Sequence, residues 1–281
     1  MDPEFGRTFD LSDADFARVR DLIHRTAGIA LNASKRNMVY SRLSRRVRAR
    51  GLPGFGVYLD AVEQERGAEL QAFVNALTTN LTGFFREAHH FEALATRLRE
   101  TARMAPASVW SAACATGEEA YSIAMTGIEV RPGLRRPVRV LATDIDTAAL
   151  ETARRGVYRE ASVAGLDPAR VARHFERDPQ AGGALRVREA VRACVEFRPL
   201  NLLDPARLPD GRFCAIFCRN VMIYFDRSAQ RMLLERLLAC LEPGGILFVG
   251  HAENLYWARD LFESCGRTAY RAAGPQPGSG A

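Results

Sequence analysis

Cysteine pairs of the kind that bind metals are missing from this 281-residue sequence, whose six cysteines form no Cys-x-x-Cys pair. Most of them have apolar neighbours, which is typical of small buried core residues in a reducing cytoplasm. Cys214 and Cys218 lie four apart in a predicted strand and so on one face of it, but no histidine or aspartate completes a tetrahedral set. His89 and His90 are given a structural role, because adjacent helical residues point to different sides. We therefore expect no metal site.

Long hydrophobic runs are also absent. No stretch approaches the roughly eighteen uninterrupted apolar residues of a membrane-spanning helix. The N-terminus has no basic segment followed by an apolar run, so a secretory signal is not indicated. We expect a cytoplasmic protein that does not insert into a membrane.

Acidic residues are fewer than basic ones, with 33 aspartates and glutamates against 39 lysines and arginines. The chain has a formal net charge of +6 and a pI of about 9.2, within an ordinary globular composition of 47% hydrophobic and 26% charged residues. A basic protein of this kind favours an acidic partner. Nucleic acid, an anionic membrane and an acidic protein surface all qualify, so charge alone does not choose among them.

The residue pattern predicts a helical domain over residues 8–78. Ser12 is a candidate N-cap, and Asp13 and Asp15 would lie in the first turn, where the helix dipole favours anions. Phe16 and Val19 then begin a run of apolar residues at helical spacing.

The second predicted helix of this domain carries charge of one sign only. Between residues 35 and 50 the sequence has no acidic residue. A solvated face is one explanation, but a helix of one sign repels itself, and an acidic docking surface explains it better. The arginines assigned to substrate docking are Arg42, Arg45, Arg46, Arg48 and Arg50.

Strands and helices alternate from residue 108 to residue 272, which indicates a parallel sheet with crossover helices. Residues 79–107 are interpreted as a linker with a connecting helix, and residues 273–281 as a disordered tail. At residues 156–194 the alternation breaks down, and β-prone pieces there, including 191–194, predict a small inserted antiparallel element. The segment Glu242-Pro243-Gly244-Gly245 is expected to stop a helix, with a strand from Ile246.

Small residues follow the first predicted strand of this region. The loop from Ala113 to Gly117 would let the backbone approach a ligand closely, but it lacks the Gly-x-Gly-x-x-Gly of dinucleotide enzymes, which argues against NAD. Asp144 ends the second strand, where a carboxylate can accept hydrogen bonds from both ribose hydroxyls of a nucleoside. Asp146 or Thr147 can cap the following helix, which leaves Asp144 free to bind a ligand.

A small-residue loop and a ribose acid without a phosphate-binding pattern suit S-adenosylmethionine, which contains no phosphate. The amino-acid tail of this cofactor carries an ammonium group and a carboxylate, and each needs a partner of opposite charge. Glu118 is the candidate for the ammonium group and Arg86 for the carboxylate.

Four segments carry a resemblance to a known family. They are Asn80-Leu81-Thr82-Gly83-Phe84-Phe85-Arg86-Glu87-Ala88-His89-His90-Phe91, then Ala112–Glu119 with Tyr121-Ser122-Ile123-Ala124, then Ala142–Asp146, and Cys218–Phe225. In this order they resemble the chemotaxis receptor glutamate methyltransferases, the CheR family, from about residue 10 to about residue 272. The resemblance implies a Rossmann-like class I methyltransferase domain of α/β fold with a small inserted β-subdomain, preceded by a small all-α domain.

The resemblance also implies roles for individual residues. Asn80, Thr82 and Arg86 would reach over from the linker and close the cofactor pocket. Tyr224 would stand near the transferred methyl group, and with Arg219 it is the expected catalytic residue. The residues expected to bind cofactor are Asn80, Thr82, Arg86, Ala113, Glu118, Asp144, Asn201, Leu202, Arg219 and Asn220.

The expected reaction is methylation of glutamate side chains on the cytoplasmic helices of chemoreceptors, with S-adenosylhomocysteine as product. A glutamate is already ionised at pH 7, so no strong general base is required. A nucleic-acid methyltransferase is the alternative enzyme, but Arg219-Asn220-Val221-Met222 stands where amino-methylating enzymes place Asn-Pro-Pro-Tyr or Asp-Pro-Pro-Tyr. A cofactor-binding signalling module is the alternative outside catalysis. We expect a monomer that does not act on nucleic acid.

Overall fold

The computed structural model describes residues 9–65, 67–100, 106–134, 137–180 and 182–274. Most of the predicted disordered tail, residues 275–281, lies outside these ranges. Within them, no helix has both the length and the apolar character needed to cross a membrane.

The N-terminal part is helical, as the sequence predicts. Ser12 caps the first helix through a hydrogen bond from the Asp15 amide to its Oγ of 3.0 Å. Four helices, α1 to α4, pack around one apolar core, and a fifth connects them to the rest of the chain. The helices are α1 (Asp13–Ala27), α2 (Arg36–Ala49), α3 (Phe55–Glu65), α4 (Ala68–Leu77) and α5 (His89–Glu100).

The remaining described residues form ten strands and six further helices. The strands are β1 (Ala107–Ser111), β2 (Val138–Asp144), β3 (Val157–Arg159), β4 (Phe175–Arg177), β5 (Ala184–Val187), β6 (Val195–Pro199), β7 (Phe213–Phe217), β8 (Leu241–Phe248), β9 (Phe262–Gly266) and β10 (Ala269–Ala272). The helices are α6 (Glu118–Val130), α7 (Thr147–Arg155), α8 (Glu160–Val163), α9 (Pro168–His174), α10 (Glu189–Arg192) and α11 (Arg227–Ala239).

Seven strands form the main sheet, in the order β6-β2-β1-β7-β8-β10-β9. The five strands from β6 to β8 are parallel, and β10 and β9 add an antiparallel edge. The chain runs from β1 outward to β2 and β6 and then returns to β7 on the other side of β1. This reversal opens a crevice at the carboxyl ends of β1 and β7, the place where open α/β sheets bind ligands. The predicted α/β class is confirmed.

An antiparallel sheet of three strands, β3-β5-β4, occupies the region of the predicted insertion. It contacts the segment that leads into α5, because Phe84 packs edge-on against Tyr158 of β3 and Phe175 of β4. Arg170 of α9 lies 4.1 Å above the ring of Phe85 and pairs with Glu129 of α6. The insertion is thus packed directly on the Asn80–Phe91 segment.

Three local predictions were wrong. Residues 191–194 are not a strand, because 191 and 192 belong to the one-turn helix α10 and 193 and 194 to the turn after it. Strand β8 begins at Leu241, and the Glu242–Gly245 segment lies inside it, opposite a register shift in β7. The register shift lies between Phe213 and Ala215 and so includes Cys214. Cys214 and Cys218 therefore do not share a face of the strand, and they pack into different apolar clusters.

Candidate functional site

A cavity of about 370 Å³ opens at the predicted crevice, between the sheet and the N-terminal helices. This volume lies within the range of small-molecule sites, roughly 300–1,000 Å³. The sheet side contributes Ala112, Ala113, Ala115, Glu119, Asp144, Ile145, Leu200, Asn201, Leu202, Arg219, Asn220, Val221, Tyr224 and Phe225. The other walls are residues 77–82 with Arg86, and Ala27, Ile29, Ala30, Leu31, Lys35, Met38 and Arg42 of the helical part.

Asp144 lies at the end of β2 and is buried at the cavity wall. Its Oδ2 accepts a hydrogen bond of 2.8 Å from the Ala115 amide, and its Oδ1 accepts one of 2.9 Å from the Asp146 amide. Burial raises the pKa of Asp144 to about 6, although these backbone hydrogen bonds oppose the shift. A carboxylate oxygen has more than one acceptor position, so both oxygens can still accept from a ligand.

The capping role next to Asp144 belongs to Asp146. Its Oδ1 accepts from the amides of Ala148 and Ala149, at 2.9 and 3.0 Å, and so caps α7. Its Oδ2 accepts from Asn80 Nδ2 at 2.7 Å, which ties the linker to the sheet. The interpretation that Asp144 is not needed as the helix cap is confirmed.

Glu118 does not line the cavity, contrary to its predicted role. Its carboxylate accepts a hydrogen bond of 2.7 Å from Thr116 Oγ1, while the next residue, Glu119, faces the cavity. Successive helical residues point about 100° apart, so only one of two neighbouring glutamates can face a given site. Ser111 Oγ donates to Glu119 at 2.7 Å, and burial raises the pKa of Glu119.

Arg219 is held by partners on several sides. Its Nη1 donates to Glu119 Oε2 at 2.9 Å, and its Nη2 donates to the carbonyl oxygen of Arg86 at 2.6 Å and lies 3.5 Å from Glu87 Oε2. Both carboxylates compensate the charge of Arg219, which also lines the cavity. Arg86 lines the cavity, and its guanidinium donates to the carbonyl oxygen of Leu81 at 2.8 Å.

The remaining predicted cofactor residues all line the cavity: Asn80, Thr82, Ala113, Asn201, Leu202 and Asn220. Asn201 also joins the two parts of the chain, because its Nδ2 donates to the carbonyl oxygen of Thr26 at 2.9 Å. Tyr224 lines the cavity too, and its carbonyl oxygen accepts from the Ala30 amide at 2.8 Å. The helical part is therefore bonded to the chain segments that form the site.

The predicted docking arginines are placed in three different ways. Arg46 pairs with Glu69 at 2.7 Å and Arg50 pairs with Glu65 at 2.6 Å. The expectation that no acid balances α2 is thus wrong for these two, because helices α3 and α4 supply the acids. Arg45 and Arg48 are exposed. Arg42 lines the cavity and donates to the carbonyl oxygen of Thr78 at 2.5 Å.

His89 and His90 are closer together than the helical pattern indicated, with ring centroids 4.2 Å apart. With Glu87 they form a group of three side chains whose ligand atoms lie within 4.8 Å of one another. Burial lowers the pKa of His90 to about 3 and keeps it neutral. The positive charge beside Glu87 is already supplied by Arg219. We keep the structural assignment of the two histidines.

Sequence reasoning missed Lys35 and Met38 at the cavity and the buried acid Glu253 behind it. Lys35 lies within the noted basic run but was not assigned to the pocket. Glu253 is three residues beyond Gly250, where β8 has just ended, and no pattern in the sequence marks it.

Comparison with known proteins agrees with this geometry. Residues 80–271 match the family model described as the CheR methyltransferase S-adenosylmethionine-binding domain, and residues 14–78 match the CheR methyltransferase all-alpha domain. This chain belongs to the CheR methyltransferase family. It is 48% identical to the chemotaxis protein methyltransferase of Escherichia coli K12 over 262 residues, which are 92% of this chain and 91% of the relative.

A second relative is chemotaxis protein methyltransferase 2 of Pseudomonas aeruginosa PAO1, 48% identical over 96% of this chain and 98% of its own. Among solved structures, the glycopeptide N-methyltransferase MtfA complexed with S-adenosylmethionine matches 61% of this chain and 51% of its own. Its identity is 17% and its TM-score 0.36, a likeness too distant to add to the assignment. The family establishes an S-adenosylmethionine-dependent methyltransferase of the chemotaxis system.

The residues at the cavity fit this cofactor. Asp144 offers acceptor oxygens of the kind that ribose hydroxyls need, and the buried Glu119 offers one for an ammonium group. Arg86 offers a cation for a carboxylate. A volume of about 370 Å³ is adequate for a nucleoside with a short tail.

Proposed function

We propose that this protein transfers the methyl group of S-adenosylmethionine to glutamate side chains on the cytoplasmic helices of chemoreceptors and forms glutamate methyl esters. The observation that carries the proposal is that one cavity is lined both by Asp144 on the sheet and by Tyr224 and Lys35 beside the helical part. One end of this cavity suits a nucleoside, and the other offers positive charge to an incoming carboxylate.

Nine of the cavity residues have a proposed task in binding the cofactor. Asp144 would hold the ribose hydroxyls, Glu119 the ammonium group and Arg86 the carboxylate of the amino-acid tail. Asn201 and Leu202 would border the adenine, as the resemblance to the family implies. Ala113 and Asn220 would form the wall between these points, and Asn80 and Thr82 would cover the pocket from the linker.

When bound, the cofactor supplies an electrophilic methyl group that a glutamate oxygen can attack directly as the carbon–sulfur bond breaks. Because the carboxylate is already ionised at pH 7, the chain needs to supply no base. Its task is to hold the carboxylate in line and to exclude water, and such positioning can contribute roughly 7–11 kcal/mol. Tyr224 and the segment around it would provide this alignment, and Arg219 would keep that segment in place.

The receptor helix would approach along α2. Arg45 and Arg48 are exposed on that helix, and Arg42 and Lys35 reach the cavity. These four cations complement the acidic methylation region of a receptor. Arg46 and Arg50 would contribute through α2's stability, since their acidic partners lie within the chain.

We further propose a division into a helical domain at residues 8–78, a linker at 79–107 and a methyltransferase domain at 108–272. The family models, with matches at residues 14–78 and 80–271, support it. We propose a cytoplasmic monomer that does not use nucleic acid. Only five large apolar side chains are exposed in the described part, Val57, Leu81, Ile223, Met232 and Tyr256, and a small number of such side chains is compatible with a monomer.

The test is transfer of labelled methyl from S-adenosylmethionine to a chemoreceptor cytoplasmic fragment, followed by treatment with base. Base-labile label that disappears when the receptor glutamates are replaced by alanine supports carboxyl methylation. Base-stable label would point to nitrogen as the acceptor and overturn the proposal. The same reaction with DNA and RNA in place of receptor tests the nucleic-acid alternative.

A further inference from the structure

One buried carboxylate holds the turn that carries the proposed reaction-centre residues. Glu253 is 6% exposed and lies just beyond the end of β8. The turn it faces runs from Asn220 to Tyr224 and ends in a short 3₁₀ helix, Met222–Tyr224. Asn220, Val221 and Tyr224 of this turn line the cavity.

Five backbone amides donate to this single side chain. Oε2 of Glu253 accepts from the amides of Gly250 and Asn220, at 2.6 and 2.8 Å. Oε1 accepts from three successive amides, those of Val221, Met222 and Ile223, at 3.1, 2.9 and 3.3 Å.

Hydrogen bonds from amides to an ionised acceptor are stronger than those between neutral groups. Without Glu253 all five amides would lose this acceptor, and the hydrogen bonds from Met222 and Gly250 are buried, where an amide without an acceptor is rarely tolerated.

The turn needs such an anchor because its backbone is not in a regular conformation. Asn220 has a φ of +57°, in the left-handed region that is uncommon for residues other than glycine. The fit is also close: a Cβ added to Gly250 would lie 2.4 Å from Asn220 Nδ2 and 2.9 Å from the Asn220 amide nitrogen. The segment after β8 therefore meets the turn at Gly250, and the carboxylate three residues later accepts from the amides of the turn.

The far end of the turn is held from the opposite side. The Ala30 amide of the helical part donates to the carbonyl oxygen of Tyr224 at 2.8 Å. The turn is thus held by Glu253 through the amides of Asn220–Ile223 and by the helical part through the carbonyl oxygen of Tyr224.

We propose that Glu253 is a positioning residue for methyl transfer, which sets the place of Tyr224 and Asn220 by holding the Asn220–Ile223 amides. This inference rests on the proposed function and adds a residue outside the cavity to it. A displacement of about 1 Å in an aligned site can cost on the order of 100-fold in rate. Loss of the anchor should therefore reduce kcat more than it weakens the binding of either ligand.

The experiment compares the wild type with Glu253→Gln and Glu253→Asp. The amide of Gln turns an NH₂ group toward donors, and Asp keeps the charge but is one methylene shorter. We expect kcat to fall at least about tenfold in Glu253→Gln and by an intermediate amount in Glu253→Asp. The KM for receptor and the Kd for S-adenosylmethionine should change less than kcat.

The control for stability is Leu98→Ala, which removes a fully buried side chain of α5 without touching the turn. All rates are compared at a temperature at which circular dichroism shows each variant to be folded. A folded Glu253→Gln variant with kcat within twofold of the wild type overturns the inference. So does a loss of kcat no greater than that of an equally destabilised Leu98→Ala variant.

Hydrogen exchange provides a readout that does not depend on activity. The amides of residues 220–223 should be protected in the wild type and exchange at least about tenfold faster in Glu253→Gln, with the β1 amides unchanged. Equal protection in the two proteins would overturn the inference even if the wild type transferred no methyl group. A failure of the proposed function would appear separately, as a wild type that is inactive on receptor.

Discussion

Glu119 and Arg219 form a buried ion pair at the wall of the cavity, with Oε2 of Glu119 2.9 Å from Nη1 of Arg219. The pair joins the start of α6 to the segment that follows β7, the two chain segments that flank the crevice. It keeps the charge of the site balanced before any ligand enters. The second carboxylate beside Arg219, that of Glu87, lies 3.5 Å from Nη2.

The neighbouring glutamates of α6 should behave differently when replaced. In Glu119→Gln, Arg219 loses a charged partner and the cavity loses its proposed acceptor for the ammonium group. We expect the Kd for S-adenosylmethionine to rise about tenfold or more, the equivalent of one charged hydrogen bond. Glu118→Gln should change the Kd for S-adenosylmethionine by no more than about twofold, because Glu118 accepts from Thr116 and does not line the cavity. Calorimetric titration measures both, and the opposite order would refute the assignment of Glu119.

Replacement of Asp144 tests the proposed ribose contact. Asp144→Asn retains the shape of the side chain but leaves one oxygen for the Ala115 amide, the Asp146 amide and the ligand. Binding should weaken by about 10- to 100-fold, as expected for the loss of one or two charged hydrogen bonds. Asp167→Asn is the matched control, because Asp167 caps α9 and does not line the cavity. Equal effects of the two substitutions would contradict the proposed role.

Cofactor binding should depend on pH through Asp144. Burial raises the pKa of Asp144 to about 6, so the side chain is charged at pH 7.5 and mostly protonated at pH 5. If the ribose requires the ionised form, the Kd rises as pH falls, by about tenfold between pH 7.5 and pH 5. Titrations across this range should show the change in the wild type and lose it in Asp144→Asn. A dependence that persists in the variant would assign it to another group.

Two adjacent arginines of α2 should separate stability from substrate docking. Arg46→Met removes the main partner of Glu69, which is 4% exposed. Glu69 keeps Arg50 at 3.4 Å and the Tyr58 hydroxyl at 3.0 Å, so the loss of unfolding free energy should be about 2 kcal/mol. Arg45→Met should leave that free energy unchanged, because Arg45 is exposed, and should raise the KM for receptor severalfold at low salt. Denaturant unfolding and receptor kinetics on both variants check this. An unchanged receptor KM in Arg45→Met would count against docking on α2.

Features fixed by neighbouring residues could be predicted from the sequence. The cap of helix α7 is Asp146, one of the two residues that the sequence offered, and Gly156 ends the helix. The place of Asp144 at the sheet edge followed from the strand before it. Contacts between distant segments could not be predicted, because no local pattern encodes them. The pairing of Arg46 with Glu69 joins two helices, and the five amides on Glu253 come from two separate segments.

At two places the sequence pattern indicated the right feature but did not determine its geometry. The Glu118-Glu119 pair was visible, yet which of the two faces the cavity depends on the helix rotation set by packing. The Pro243-Gly244 pair does not end α11 itself. The helix has already ended at Ala239, and β8 begins at Leu241, before this pair. Pairing of β8 with β7 outweighed the local turn preference.

The most direct test of the account is mass-spectrometric mapping of a chemoreceptor cytoplasmic fragment after reaction with this protein and S-adenosylmethionine. The account predicts a methyl group on glutamate side chains, formed several times more slowly with Asp144→Asn at a cofactor concentration near the wild-type Kd. A methyl group on lysine, arginine or histidine would contradict it. So would a receptor fragment that stays unmodified while the wild-type protein binds the cofactor.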